Sequence, residues 1–482
     1  MQTLTDGPAE NGGEELSDTA SRVRESVSTL NHLFLTLGLF LVIIASFTVG
    51  AKYAIVVFLG APIFLGMMRA GDEGRGFIFT VLCMSFVIGQ RTLYLGTYCR
   101  IHPSEIVIWL LAILCIPVSR PSFPLKAGIP FLVGALAFGT LSGFVPRGVF
   151  PQTFGLDVAY SKGLWLAVPA FFVCSKVLRR SKQVEEVGYL LSLESLFLSF
   201  LSIAEAYDLP FVRRLSAFYG EKTVIVDFAG FTRSASGFWG NLMLSALISL
   251  WLPWQIARWS RPGTSLLRRW IIGASILLSF MCIYYSGYRG IWAGTLAGMA
   301  FFSYLRGMRK VFFFSLLLAV GVYFLPQSAT RRLSGIQESS RDTSSVKHLM
   351  RPYFAAQVLM KRPMLGSGWG ASGLVHSDFL QFWADCGLHA VLAYLGVFIL
   401  VLRRLLSTAE KLRSIQDRHS LYALAAGIVS YFLILQVETS FDLPEQYPPF
   451  WITMGLAYHY PNVLLAEQQQ REGSATQEAA PR

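Results

Sequence analysis

Charge is scarce in this sequence. Asp, Glu, Lys and Arg make up 15% of 482 residues, while 53% are hydrophobic and the mean hydropathy is +0.49. That balance excludes an ordinary soluble domain of this size, which carries about a quarter charged residues. Cysteine is sparse as well. The six (Cys83, Cys99, Cys115, Cys174, Cys282 and Cys386) are scattered and form no CxxC pair, and four lie within apolar runs as small hydrophobes. A disulfide scaffold and a thiolate metal centre are both excluded. No Walker A sequence occurs, so ATP is not the expected energy source. The chain also lacks a basic n-region ahead of a short apolar core and cleavage site, so its start does not read as a signal peptide. Residues 1–28, with Asp6, Glu10, Glu14, Glu15 and Asp18, read as a disordered cytoplasmic tail, and 466–482 read the same way.

What the chain has is apolar runs of about 16–22 residues, the length that crosses a hydrocarbon core as helix. Backbone polar groups in lipid must be satisfied within the chain, which leaves helices or a closed barrel. Barrel strands alternate apolar and polar residues, and stretches such as Phe34–Ala45 and Phe312–Val320 do not. The expected fold is therefore all-α: a polytopic transmembrane bundle over 29–465 with about fourteen helices. Spans are expected near 32–49, 52–68, 76–90, 105–119, 128–145, 162–178, 187–206, 237–257, 270–286, 290–305, 310–325, 384–402, 420–437 and 448–465. Gly294 and Gly298 form a GxxxG in the tenth of these, read as close helix packing.

Lys and Arg set the orientation. One set of alternate short loops holds twenty of them, including Arg179/Arg180, Arg258/Arg261/Arg268/Arg269 and Arg403/Arg404/Lys411/Arg413/Arg418. The other set holds six: Lys52, Arg91, Arg100, Arg147, Lys162 and Arg289. The first set is expected on the cytoplasmic side, with both termini. Two long outer loops, 207–236 and 326–383, break the bias by carrying many Lys and Arg, and long loops are commonly functional. An anionic substrate on the outer face is the simplest reason for cations placed there.

The second loop is the more informative. Ser344 and Ser345 can cap a short helix, and Val346, Leu349, Tyr353, Ala356 and Met360 recur at helical spacing, with a start or break expected at Pro352. Gly366, Gly368, Gly370 and Gly373 make a turn where backbone approaches a ligand closely. Gly368–Gly373 spells GxGxxG, but no βα unit surrounds it, so a dinucleotide site is rejected. His376 stands at the start of the helix expected to become the twelfth span. A helix N-terminus disfavours the imidazolium, and a neutral imidazole beside several Arg can serve as general base; a capping or packing His fits the same position. Arg233 and Arg289 lie at outer span boundaries. Each fits snorkelling or interfacial anchoring, and together they fit bidentate phosphate binding. Glu194 and Glu205 lie in the seventh span: Glu205 can pair with an Arg or act in the site, and Glu194 is expected to pair within the bundle.

These residues resemble the bacterial O-antigen ligase/polymerase superfamily, integral-membrane glycosyltransferases that use polyprenyl-pyrophosphate-linked glycans. The resemblance covers roughly 190–405. It is carried by Arg233-x-x-x-Gly237, Ser286-x-x-Arg289-Gly290 and the long outer loop, in which Asp342-x-Ser-Ser precedes Pro363-Met-Leu-Gly-Ser-Gly, then His376 and Gly387. The sequence departs from the family in having His376-Ser377 where His-Asn is common, and in offering Lys347, His348 and Arg351 where the family has a loop Arg. The resemblance implies His376 as the base and Arg233 and Arg289 as ligands of the donor pyrophosphate; Arg351 and Lys347 join them as candidate phosphate ligands, and Glu205 and Asp342 as candidate supporting acids. It implies a periplasmic loop containing short helices, no cofactor, no metal, and inversion at the transferred sugar. The partners would be a polyprenyl-pyrophosphate-linked glycan and a lipid A-core or growing-glycan acceptor, with membrane lipids and no nucleic acid, in the bacterial inner membrane. A ligase, a polymerase and transfer to protein hydroxyls all fit. A flippase is the reading from another class, set back because the polar constellation lies in outer loops rather than at the bilayer midplane.

Overall fold

The computed structural model describes residues 93–95, 99–101, 105, 108–109, 112, 128–147, 161–207, 209–211, 224–228, 231–236, 241–286, 288–307, 343–371, 375, 377–436 and 447–478. The expected spans at 32–49, 52–68, 76–90 and 310–325 lie outside these residues, as does most of 105–119.

Helices dominate the described body: α1 Gly128–Leu141, α2 Ala167–Val177, α3 Ser181–Ala206, α4 Asn241–Trp259, α5 Leu266–Ser286, α6 Arg289–Leu305, α7 Thr343–Lys361, α8 Asp378–Cys386, α9 Leu388–Ala409, α10 Ile415–Ile434 and α11 Tyr447–Glu478. Nine of the expected spans thus coincide with helices. Among the described residues, Ser181–Ala204, Leu266–Ser286 and Leu388–Ala409 are long and apolar enough to cross a membrane.

Burial is inverted relative to a water-soluble bundle. Phe131 and Phe138, two turns apart on α1, are 73% and 75% exposed, and Trp270 on α5 is 71% exposed. Ser192, Ser195, Ser199 and Ser202 on α3 and Ser245 and Ser249 on α4 are instead buried. Small residues inside let backbones approach, and the apolar outer faces have no counterpart in water but suit lipid. A Cβ on Gly294 or Gly298 of α6 would collide with α10 at Ser430 and Ile434, and one on Gly427 would collide with the Leu250 carbonyl of α4. The GxxxG is a packing seam. Hydroxyls bridge the interior: Ser249 and Thr295 share a hydrogen bond of 2.6 Å, and Trp251 Nε1 donates to Thr453 at 3.1 Å.

Contacts along the helices fix their directions. Gly139 of α1 faces Ala390 of α9 while Gly128 faces Leu400, so these two run antiparallel. Ser275 meets Gln255 and Cys282 meets Ser245, so α4 and α5 do the same. The helix ends therefore sort into two groups. The α2–α3, α4–α5 and α9–α10 connections share one end, with Arg179, Arg258, Arg261, Arg268, Arg413 and Arg418, called the basic end below. The opposite end gathers the C-termini of α1, α3, α5 and α10 and the N-termini of α4, α6, α9 and α11.

Several expectations are corrected in detail, while the all-α class holds for the described body. Two short antiparallel hairpins accompany the helices: β1 Leu93–Leu95 with β2 Cys99–Ile101, and β3 Val224–Phe228 with β4 Phe231–Ser236. The second puts β-branched Val224, Ile225 and Val226 on one strand, with the sequence Ala229-Gly230 between the two, a hairpin pattern hidden inside a basic loop. The expected tail at 466–482 is helical as far as Glu478. Glu467 accepts from the Ser181 N–H and Oγ, both at 2.7 Å, and Gln468 accepts from the Arg413 N–H, which ties that segment to two connections. The helix at 343–361 runs through Pro352 rather than starting or breaking there. Lys162 is buried and paired with Glu105 instead of standing in an outer loop. Glu194, expected to pair within the bundle, has both oxygens buried with no hydrogen-bond partner among the described residues.

Candidate functional site

The end opposite the basic one is built around α8. The sequence reading ran the helix after residue 376 straight into a span; instead α8 stops at Gly387, whose φ of 93° lies in the left-handed region, and α9 begins anew. Gly387 is required there, since a Cβ would strike the Met364 carbonyl. Ser377 is the N-cap of α8, accepting from the Leu380 N–H at 3.4 Å. Ser and Asn cap equally well, so Ser377 fills this position as an Asn would.

The glycine turn wraps the C-terminal half of α8. Ser367 N–H donates to the Ala384 carbonyl at 2.9 Å and Gly368 N–H to the Asp385 carbonyl at 3.0 Å. Gly370 N–H donates to the Asp385 carboxylate at 3.0 Å. Gly366, Gly368 and Gly370 all have positive φ, between 71° and 100°. The Trp369 ring is buried, donates to the Thr140 carbonyl at 3.1 Å and stacks on Phe382 at 5.9 Å. Ser142 Oγ donates to the Cys386 carbonyl at 2.5 Å, so the C-terminus of α1 closes the knot.

Asp378, Gln381 and Asp385 are all buried on α8 at i, i+3 and i+7, hence on one face. The sequence reading missed this stripe because it divided the segment, leaving Asp378 and Gln381 in the outer loop 326–383 and Asp385 in the span 384–402. The signal was present: three polar residues at helical spacing in an otherwise aromatic and apolar segment. Buried carboxylates are costly unless hydrogen-bonded, and Asp385 meets that cost by fixing the turn.

His376 itself lies outside the described residues, as does Asp342. Its neighbours Val375 and Ser377 are both buried. Lys347 and Arg351 are one turn apart on α7, which packs against α8. Arg233 sits on β4 opposite Val226, and β4 touches α3, α4 and α5. Arg289 opens α6, and Glu205 falls in the last turn of α3. A backbone link joins the two halves. Asp378 N–H donates to the Leu435 carbonyl at 2.9 Å, and the preceding Ile434 packs on Gly294, five residues after Arg289. Aromatic side chains frame this end: Tyr284 stacks on Trp292 at 6.0 Å, and the Tyr207 and Tyr285 hydroxyls are hydrogen-bonded. The elements bearing the sequence-predicted cations, the buried stripe and the aromatic group therefore share one end of the bundle. Cations with a polar stripe suit a phosphate group, and aromatic faces with polar edges suit a partly apolar polyol.

No family model matches the chain, and the search of curated proteins found no match.

Proposed function

We propose that the chain is a membrane glycosyltransferase of the O-antigen ligase type, moving a polyprenyl-pyrophosphate-linked glycan to an acceptor hydroxyl on the outer face of a bacterial inner membrane. The observation that carries the reading is the gathering of the elements bearing Arg233, Arg289, Lys347 and Arg351 at the bundle end that holds α8. In this reading the Arg groups stabilise the departing pyrophosphate, whose charge grows as its bond to the anomeric carbon breaks. His376 takes the proton of the acceptor hydroxyl as that oxygen attacks from the opposite side, giving inversion. Asp385 holds the glycine turn, and Ser377 fixes the start of α8 next to the base. Glu205 and Asp342 are supporting acids.

The test is glycan display in a deletion strain complemented with variants, alongside membrane abundance of each protein. His376→Ala and Arg289→Ala are expected to abolish transfer at normal abundance. Asp385→Asn, which keeps an acceptor oxygen, is expected to retain more transfer than Asp385→Ala. Full transfer by His376→Ala would remove the base from the proposal. Complete polymer with none on lipid A-core in the deletion strain supports a ligase, whereas single-repeat capping supports a polymerase. Glu194 favours a second reading, a polysaccharide flippase, since buried intramembrane carboxylates are common in transporters. Under that reading Glu194→Gln blocks export of the lipid-linked glycan while leaving its transfer chemistry intact.

A further inference from the structure

The basic end carries a cleft, at the opposite end of the bundle from the elements of the proposed transfer. The α4–α5 turn and the first turns of α3 enclose a cleft of about 310 Å³ lined by Arg258, Arg261 and Arg268, with Glu185, Tyr189 and Ser265 among the other walls. Gly263, at φ 80°, turns the chain back so that the α5 N-terminus opens into this cleft. Ser265 Oγ accepts from the Arg268 N–H at 3.4 Å, and the positive end of a 21-residue helix adds to the guanidinium field.

Arg258 is the informative residue. It is 7% exposed, lies over the Trp254 ring at 5.5 Å and bonds Glu185 through Nη1 at 3.3 Å. Its Nη2 has no hydrogen-bond partner among the described residues. A guanidinium nitrogen out of water without an acceptor is costly, and the Arg258 side chain that bears it lines the cleft. The same Glu185 oxygen also takes Arg261 at 2.5 Å, so one carboxylate serves two guanidinium groups. Around the cleft, Asp417 stands 3.8 Å from Arg261, Glu186 pairs with Arg268 at 3.1 Å, and Arg269 reaches the Arg261 carbonyl at 3.5 Å. These acids are too few to occupy the five N–H donors that each Arg presents. Beside the cleft, Leu266, Leu267 and Trp270 are 70%, 70% and 71% exposed. In a bilayer such side chains lie in lipid, which sets the cleft mouth at headgroup depth.

We infer that this cleft binds a phosphate-bearing anion, held by Arg258 Nη2, Arg261, Arg268 and the α5 N-terminus. The ligand chemistry is a phosphate monoester or diester, and two sources share it: the headgroup of an anionic phospholipid and free phosphate. The full chain in neutral detergent is titrated with inorganic phosphate, and separately with micelles doped with phosphatidate or with phosphatidylcholine, while the thermal midpoint is followed by tryptophan fluorescence. A rise with phosphatidate and not phosphatidylcholine is expected. A rise with inorganic phosphate as well assigns the site to a free anion, and none assigns it to a lipid. The half-exposed Arg268→Gln and the buried Arg258→Gln should each weaken half-saturation by about tenfold, the scale of one charge-assisted hydrogen bond. Glu185→Gln removes a competing negative charge and should tighten it. No rise with either phosphate probe, or an unchanged titration in Arg268→Gln, overturns the inference.

Discussion

The Lys162 ammonium donates to both oxygens of Glu105, at 2.8 and 2.9 Å, with both side chains buried. Such a pair gains little over apolar packing, yet losing one partner strands the other charge. Lys162→Ala is therefore expected to destabilise the protein by about 3–5 kcal/mol, and removing Glu105 as well should recover most of that. Unfolding of the single and double variants in micelles decides it, and equal losses would refute the pairing argument. At the basic end His419 precedes the apolar stretch of α10. Burial, then the charges of Arg306 and Arg418, push its imidazole from 6.5 down to about 4. As pH falls below about 6.5 the unfolded chain takes up a proton that the folded chain refuses until about pH 4. Stability is thus retained above that window and lost across it. His419→Gln should flatten the stability profile between pH 7 and pH 4; a profile identical to the parent protein would dismiss the effect.

Among elements, the close contact of α4 with α10 depends on one missing side chain. A Cβ on Gly427 would meet the Leu250 carbonyl, a backbone atom that cannot turn aside. Gly427→Ala is expected to cost about 1–3 kcal/mol, the usual range for overpacking, and to lower the thermal midpoint. A midpoint equal to that of the parent protein would mean that the helices have room to separate. Helix positions were legible in the sequence because each span is a run of apolar residues whose backbone must bond to itself. Their ends were less so. The break at Gly387 occurs where α8 and the glycine turn interlock, through atoms more than ten residues apart, so composition alone gave no cue. The β3–β4 hairpin was hidden for a different reason, its strands being a few residues long inside a charged loop.

For the molecule as a whole, the segregation of helix ends predicts accessibility from opposite sides of a membrane. In a background free of the six native cysteines, Ser414→Cys at the basic end and Lys361→Cys at the end of α7 should react with an impermeant maleimide from opposite faces. Labelling of both from one face would disprove the two-ended arrangement. Alternating charge already suggested this sidedness, and antiparallel contacts such as α1 with α9 and α4 with α5 give it a structural basis.

Length and apolarity of the runs determined a helical bundle with helices able to cross a membrane, because a backbone in lipid has few ways to satisfy its polar groups. Residue types and their order pointed to His376, Arg233 and Arg289, through resemblance rather than geometry. Tertiary structure alone decided that Asp385 clamps the glycine turn, that Lys162 is paired inside the bundle, and that Glu194 and Arg258 Nη2 lack hydrogen-bond partners among the described residues. The physical reason is distance along the chain: Lys162 and Glu105, or Asp385 and Gly370, meet only when helices pack, and no local pattern records a partner so far away.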